Sequence, residues 1–252
     1  MRKGLDMTYG VGILVRDGLV MMADTRTNAG LDNVATYRKL HLFEDAGEKL
    51  MALATAGNLA VSQAAVSMLR EGFRNPETDR IETLIEQPTM FKAAQFVGHA
   101  VRILHQNDAA ALERSGASFE VTMLLGGQFA GEDPRLFMLY KAGNFIEATV
   151  DTPYLQIGEH KYGKPILDRA VTSNADLYDC LKLSLISMDS TMRSNLSVGL
   201  PIDLIVLRRD EPNWEVSRRI EAGEPYFHDL RERWSAALRK AHNDIPSPPY
   251  GR

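Results

Sequence analysis

Residues 8–30 read TYGVGILVRDGLVMMADTRTNAG, and this stretch decides the fold. Two apolar runs, YGVGILV and LVMMA, flank Asp17-Gly18, a dipeptide that favours a tight β-hairpin because glycine accepts the positive φ of such turns. Both parities of each run are apolar, as expected for strands covered on both faces. The chain therefore opens with a hairpin that needs one layer above it and another below.

Working outward, KLHLF (39–43) and LMALAT (50–55) continue the strand signal. After Gly57 the period changes. Leu59, Val61, Ala64, Ala65, Met68 and Leu69 recur every three to four residues as far as Gly72, which predicts a helix, and residues 90–112 predict a longer one. The second half repeats this order. Strands are expected at 119–125, 135–140, 145–150 and 154–157, helices at 164–171 and 177–192, then strands at 202–207 and 214–218 and a terminal helix over 226–241. Strands and helix pairs alternating in this way predict an α+β protein, a four-layer α/β/β/α sandwich of two facing sheets with helices outside. We read residues 8–244 as a single domain. Residues 1–7 are expected to be a short propeptide or a misassigned start, and the proline-rich tail at 245–252 cannot continue a helix.

Composition narrows the function. A chain of 252 residues with 44% hydrophobic and 25% charged residues has the make-up of an ordinary globule. Its net charge of -4 and the lack of any lysine-arginine block argue against a nucleic-acid partner. The late arginines, Arg208, Arg209, Arg218 and Arg219 among them, are interleaved with Glu215, Glu221 and Glu224. Arg2 and Lys3 lead into no apolar segment, and no later stretch is long and uncharged enough to span a bilayer, so no membrane partner and a cytoplasmic location are expected. Cys180 is a single cysteine at helical apolar spacing, which predicts a small core residue in a reducing compartment. The histidines form no H-E-x-x-H pair, and no phosphate loop, dinucleotide fingerprint or G-x-S-x-G elbow is present, so no metal or organic cofactor is expected.

The chemistry centres on Thr8, which follows Met7. A mid-chain threonine hydroxyl is a weak nucleophile. Freed as the N-terminal residue, it gains an α-amine base whose ordinary pKa is about 7.7–8.0, near working pH. With Asp17-Gly18 as the loop, Thr8 stands opposite Thr27 and Asp24 opposite Val11, about 10 Å along the strand. Lys39 is long enough to bridge that gap. Its ammonium near the Thr8 hydroxyl favours the alkoxide, and Asp24 keeps the ammonium charged and oriented. Strict alternation sets Thr8 and Asp24 on opposite faces, so a bulge or a strand end has to intervene.

ADTR (23–26), YRKLH (37–41), ATAG (54–57) and LSVGLPIDLIVL (196–207) follow Thr8 in the order that marks the proteasome β-subunit family, which this chain resembles over essentially its whole length. More narrowly, DTRTNAGLDNVATYRKLHLFE (24–44) and SMDSTMRSNLSVGLPIDL (187–204) look like the bacterial Anbu, or ancestral β-subunit, branch. The resemblance implies an N-terminal-nucleophile hydrolase cleaving peptide or protein substrates inside a homo-oligomeric ring or open spiral. It implies a catalytic set of Thr8, Asp24, Lys39, Gly57 and Ser197. Gly57 suits an oxyanion site, since a glycine N–H can approach a ligand with no side chain in the way. Two places depart from the family pattern. Ser194 and Asn195 stand where an aspartate is usual, and Glu159 to Lys161 of IGEHKYG stand where a serine is usual; both family residues surround the threonine amine. These departures leave two other readings open: an inert proteasome-like scaffold, or an amidase for a small or modified amide. Subunit contacts are expected on the apolar helix around Val61 to Leu69.

Overall fold

The computed structural model describes residues 8–28 and 34–250. Strands β1 (Tyr9–Val15), β2 (Gly18–Asp24), β3 (Arg26–Asn28), β4 (Val34–Thr36), β5 (Leu40–Asp45) and β6 (Lys49–Gly57) lead into helix α1 (Leu59–Glu71). Two short strands, β7 (Phe73–Arg74) and β8 (Ile81–Glu82), precede α2 (Met90–Arg114). Then come β9 (Val121–Phe129), β10 (Arg135–Leu139), β11 (Phe145–Glu147), β12 (Tyr154–Gly158), α3 (Lys164–Ala170) and α4 (Leu177–Ser194). The chain closes with β13 (Ile202–Arg208), β14 (Val216–Ile220) and α5 (Pro225–Asp244). The protein is thus mixed α and β, with five helices among the described residues. One five-stranded sheet runs β12-β1-β2-β13-β14 and another β11-β10-β9-β6-β5, every neighbouring pair antiparallel.

Three apolar clusters explain why both parities of the strands are hydrophobic. Leu19, Met21 and Ala23 of β2 meet Leu50, Ala52 and Ala54 of β6 in one cluster. The opposite parity of β1 and β2, including Val11, Ile13, Val20 and Met22, packs with Leu167, Leu185, Met188 and Phe227 from α3, α4 and α5. Met51 and Leu53 of β6 pack instead with α1 and α2. Helix α1 ends as its sequence requires: Asn58 caps the N–H groups of Ala60 and Val61, and Gly72 stops the helix at φ 91°. Val61, Ala65, Val66 and Leu69 point into this core, so the apolar face of α1 is not the outer contact surface expected from its sequence. Its periodicity reports burial within the subunit.

The first hairpin differs from its sequence reading. Val15 pairs with Gly18 and Gly10 with Ala23, so the loop is Arg16-Asp17 and Gly18 opens β2. Gly18 has φ 150°, and a Cβ there would strike the Leu207 carbonyl of β13. Strand approach, not the turn, demands this glycine. The register moves by two residues and brings Asp24 opposite Tyr9, beside Thr8, removing the 10 Å offset.

Candidate active site

Thr8 lies just before β1 and is buried, 4% exposed. Its carbonyl accepts the Glu159 N–H at 2.7 Å. Asp24 ends β2 with its side chain fully buried. Oδ1 accepts the Tyr9 N–H at 3.1 Å and the Lys39 ammonium at 3.0 Å, and Oδ2 accepts the N–H groups of Arg26 and Gly199, each at 3.2 Å. Burial raises the carboxyl pKa, and the Lys39 ammonium with the Tyr9 and Gly199 N–H groups pulls it back. Four donors and two oxygens suit the ionised form.

Lys39 precedes β5 and is 5% exposed. Its ammonium also donates to the Arg26 carbonyl at 2.5 Å, and its own carbonyl accepts the Thr55 N–H of β6 at 2.9 Å. The Lys39–Asp24 pairing expected from sequence is therefore present. It forms where β2 ends and the chain folds back, since the Arg26 N–H closes onto Asp24. A strand end resolves the parity conflict. The carboxylate contacts the peptide N–H immediately after Thr8 rather than a residue 10 Å along.

Gly57 is the last residue of β6, at φ 108°, and a Cβ there would strike the backbone of Glu120. Only glycine fits without strain. It lies two residues beyond Thr55, which bonds to Lys39, so it shares that end of the paired sheets. Ser197 sits half-buried in the segment between α4 and β13. Its N–H donates to Asn195 Oδ1 at 3.0 Å, and the Gly199 N–H fixes the same segment to Asp24. Arg26 completes the fastening. Its guanidinium packs over Gly199 and donates to the Leu196 carbonyl at 3.0 Å.

Sequence reasoning gave no role to the residues at the two departures from the family pattern. Asn195 Nδ2 donates to Glu159 Oε2 at 3.1 Å, so the departures meet each other. Nothing local signals this, because the partners are 36 residues apart and meet only where the end of α4 returns past β12. The hydroxyl of Tyr9, the residue after Thr8, bonds Ser187 and Gln156, each at 2.6 Å, and burial pushes its pKa up to about 12. Cys180 lies in the core as expected; burial, then Asp176 and Asp179, push its thiol up to about 11, so thiolate chemistry is suppressed. Among the described residues no group of three or more His, Cys, Asp or Glu side chains is placed to hold a metal ion, and no helix is long and apolar enough to cross a membrane.

No protein-family model matches the chain, and no curated protein does. Solved structures do. Anbu from Hyphomicrobium sp. strain MC1 is 48% identical, with 96% of this chain and 100% of that one aligned at a TM-score of 0.87. Anbu (ancestral beta-subunit) from Yersinia bercovieri is 43% identical over 97% of this chain and 100% of that one, also at 0.87. A helical assembly of the Anbu complex from Pseudomonas aeruginosa gives 42% identity, 96% and 98% coverage and a TM-score of 0.88. Fold, site and likeness together define a proteasome-like protein. The chain belongs to the Anbu family.

Proposed function

We propose that this protein is an N-terminal-threonine hydrolase that cleaves peptide amide bonds within a homo-oligomer. The carrying observation is the buried Asp24–Lys39 pair, bonded to the first peptide N–H after Thr8. On this reading residues 1–7 are removed. The Thr8 hydroxyl attacks the scissile carbonyl, its proton passes to the freed α-amine, and the Gly57 N–H receives the oxyanion. Collapse expels the amine product, which takes that proton, and leaves an acyl ester on Thr8. Water then adds with the α-amine again as base, releasing the acid and restoring the hydroxyl. Lys39 lowers the cost of the alkoxide and Asp24 holds Lys39 charged, while Ser197 takes the place beside the amine that the family pattern implies.

The same reading takes the three apolar clusters as the three interfaces of a four-layer α/β/β/α sandwich, with residues 8–244 as one domain. The helical assembly of the Pseudomonas aeruginosa relative favours an open spiral of copies. We place the activity in the cytoplasm, in keeping with a single buried cysteine. The test is covalent labelling by a β-lactone. Peptide mass spectrometry should find the acyl group on Thr8, and Thr8→Ala should abolish labelling without dissociating the oligomer. Labelling elsewhere, or unchanged labelling in Thr8→Ala, overturns the reading.

A further inference from the structure

Glu159 stands next to Thr8 by register. The β1–β12 ladder ends with Tyr9 opposite Gly158, and one residue beyond it the Glu159 N–H donates to the Thr8 carbonyl at 2.7 Å. The carboxylate is 13% exposed and held from two sides, Oε2 by Asn195 Nδ2 and Oε1 by the Lys161 ammonium at 3.3 Å. Asn195 turns its own Oδ1 to the Ser197 N–H, so the carboxylate is tied to the segment that carries Ser197.

We infer that Glu159 is a positioning residue that sets the proton affinity of the Thr8 α-amine. This rests on the reading of Thr8 as the N-terminal nucleophile. The charged groups gathered at this end of β1 are Asp24, Arg26, Lys39, Glu159, His160 and Lys161. The Asp24 carboxylate is committed to four donors. The Lys39 and Arg26 cations at this end of β1 oppose a positive charge on the amine. A carboxylate beside the amine counters this and stabilises the ammonium formed when the hydroxyl proton arrives. Glu159 and Asn195 are the side chains placed to supply this, one as the charge and the other as the donor that aims it.

The test measures the amine itself. In preparations whose intact mass places Thr8 first, acetylation of the α-amine by acetic anhydride is followed against pH on the N-terminal peptide. Glu159→Gln should lower the midpoint by about one unit. Lys161→Gln removes a cation from a side chain that is 64% exposed, cannot unfold the core, and should raise the midpoint. Glu159→Gln with a matching circular dichroism spectrum and an unmoved midpoint overturns the inference, as does an unmoved midpoint in Lys161→Gln. β-lactone labelling of the same samples separates the two claims. Shifted midpoints without labelling support the amine coupling and sink the nucleophile, whereas labelling with fixed midpoints sinks only the role of Glu159. Preparations that are active while retaining residues 1–7 overturn both.

Discussion

Helix α2 buries Met90, Ala93, Phe96, Val97 and Leu104, whereas α4 buries Ser184, Ser187, Asp189 and Thr191 beside Leu177, Leu185, Ile186 and Met188. Apolar contact is non-directional and tolerates exchange of shape at modest cost. Buried hydrogen bonds are directional and admit few arrangements. The helix that adds buried polar groups to its apolar contacts is also the one that touches the site. Ser187 holds the hydroxyl of Tyr9, one residue past Thr8, and Asn195 at the end of α4 holds Glu159. Asp189, with its side chain 1% exposed, is clamped by Arg193 of its own helix and Arg231 of α5. Helix α2 supplies stability; α4 supplies stability and aim.

The contrast can be broken by mutation. The largest loss is expected from Lys39→Ala, which leaves a buried Asp24 carboxylate without its cation: about 3–5 kcal/mol in urea unfolding, together with loss of Thr8 labelling. Phe96→Ala, in α2, should also cost roughly 3–5 kcal/mol but leave labelling per folded molecule unchanged. Tyr9→Phe should cost only about 1–3 kcal/mol while slowing labelling, because Ser187 and Gln156 lose the shared partner that fixes the residue after Thr8. Equal labelling rates for Phe96→Ala and Tyr9→Phe would erase the distinction between the two helices.

The smallest expected effect is a pH dependence on the α1 side. Burial, then Arg70 and Arg38, lower the His41 pKa from 6.5 to about 4. The unfolded chain takes up a proton below pH 6.5 that the folded chain refuses until about pH 4, so stability is full above 6.5 and falls between those values. The loss is roughly 1–2 kcal/mol after allowing for partial exposure. His41→Gln should flatten that segment of the stability curve, and an unchanged slope would assign it to other groups.

Much of this was legible in the sequence, and the gaps share a cause. The helix from Leu59 stops at Gly72 as its period predicts, and Lys39 meets Asp24 as their chemistry predicts. The hairpin register departs from its local signal because Gly18 answers to the Leu207 carbonyl of a strand nearly two hundred residues on, a contact no local pattern encodes. The strand expected over 145–150 stops at Glu147, since Thr149 and Thr152 bond each other in a turn. Glu159 and Asn195 read as departures from a pattern because their pairing depends on how α4 returns to β12. Periodicity and residue chemistry are written locally; register and long-range polar pairing are not.

The central claim is that the Thr8 amine is free when the protein works. Intact mass of a preparation that hydrolyses peptides or takes up the β-lactone tests it most directly. The active chain should begin at Thr8, with residues 1–7 absent and the added acyl mass on the N-terminal peptide. An active preparation in which residues 1–7 remain attached would contradict it, because the amide nitrogen of an internal threonine cannot take the proton.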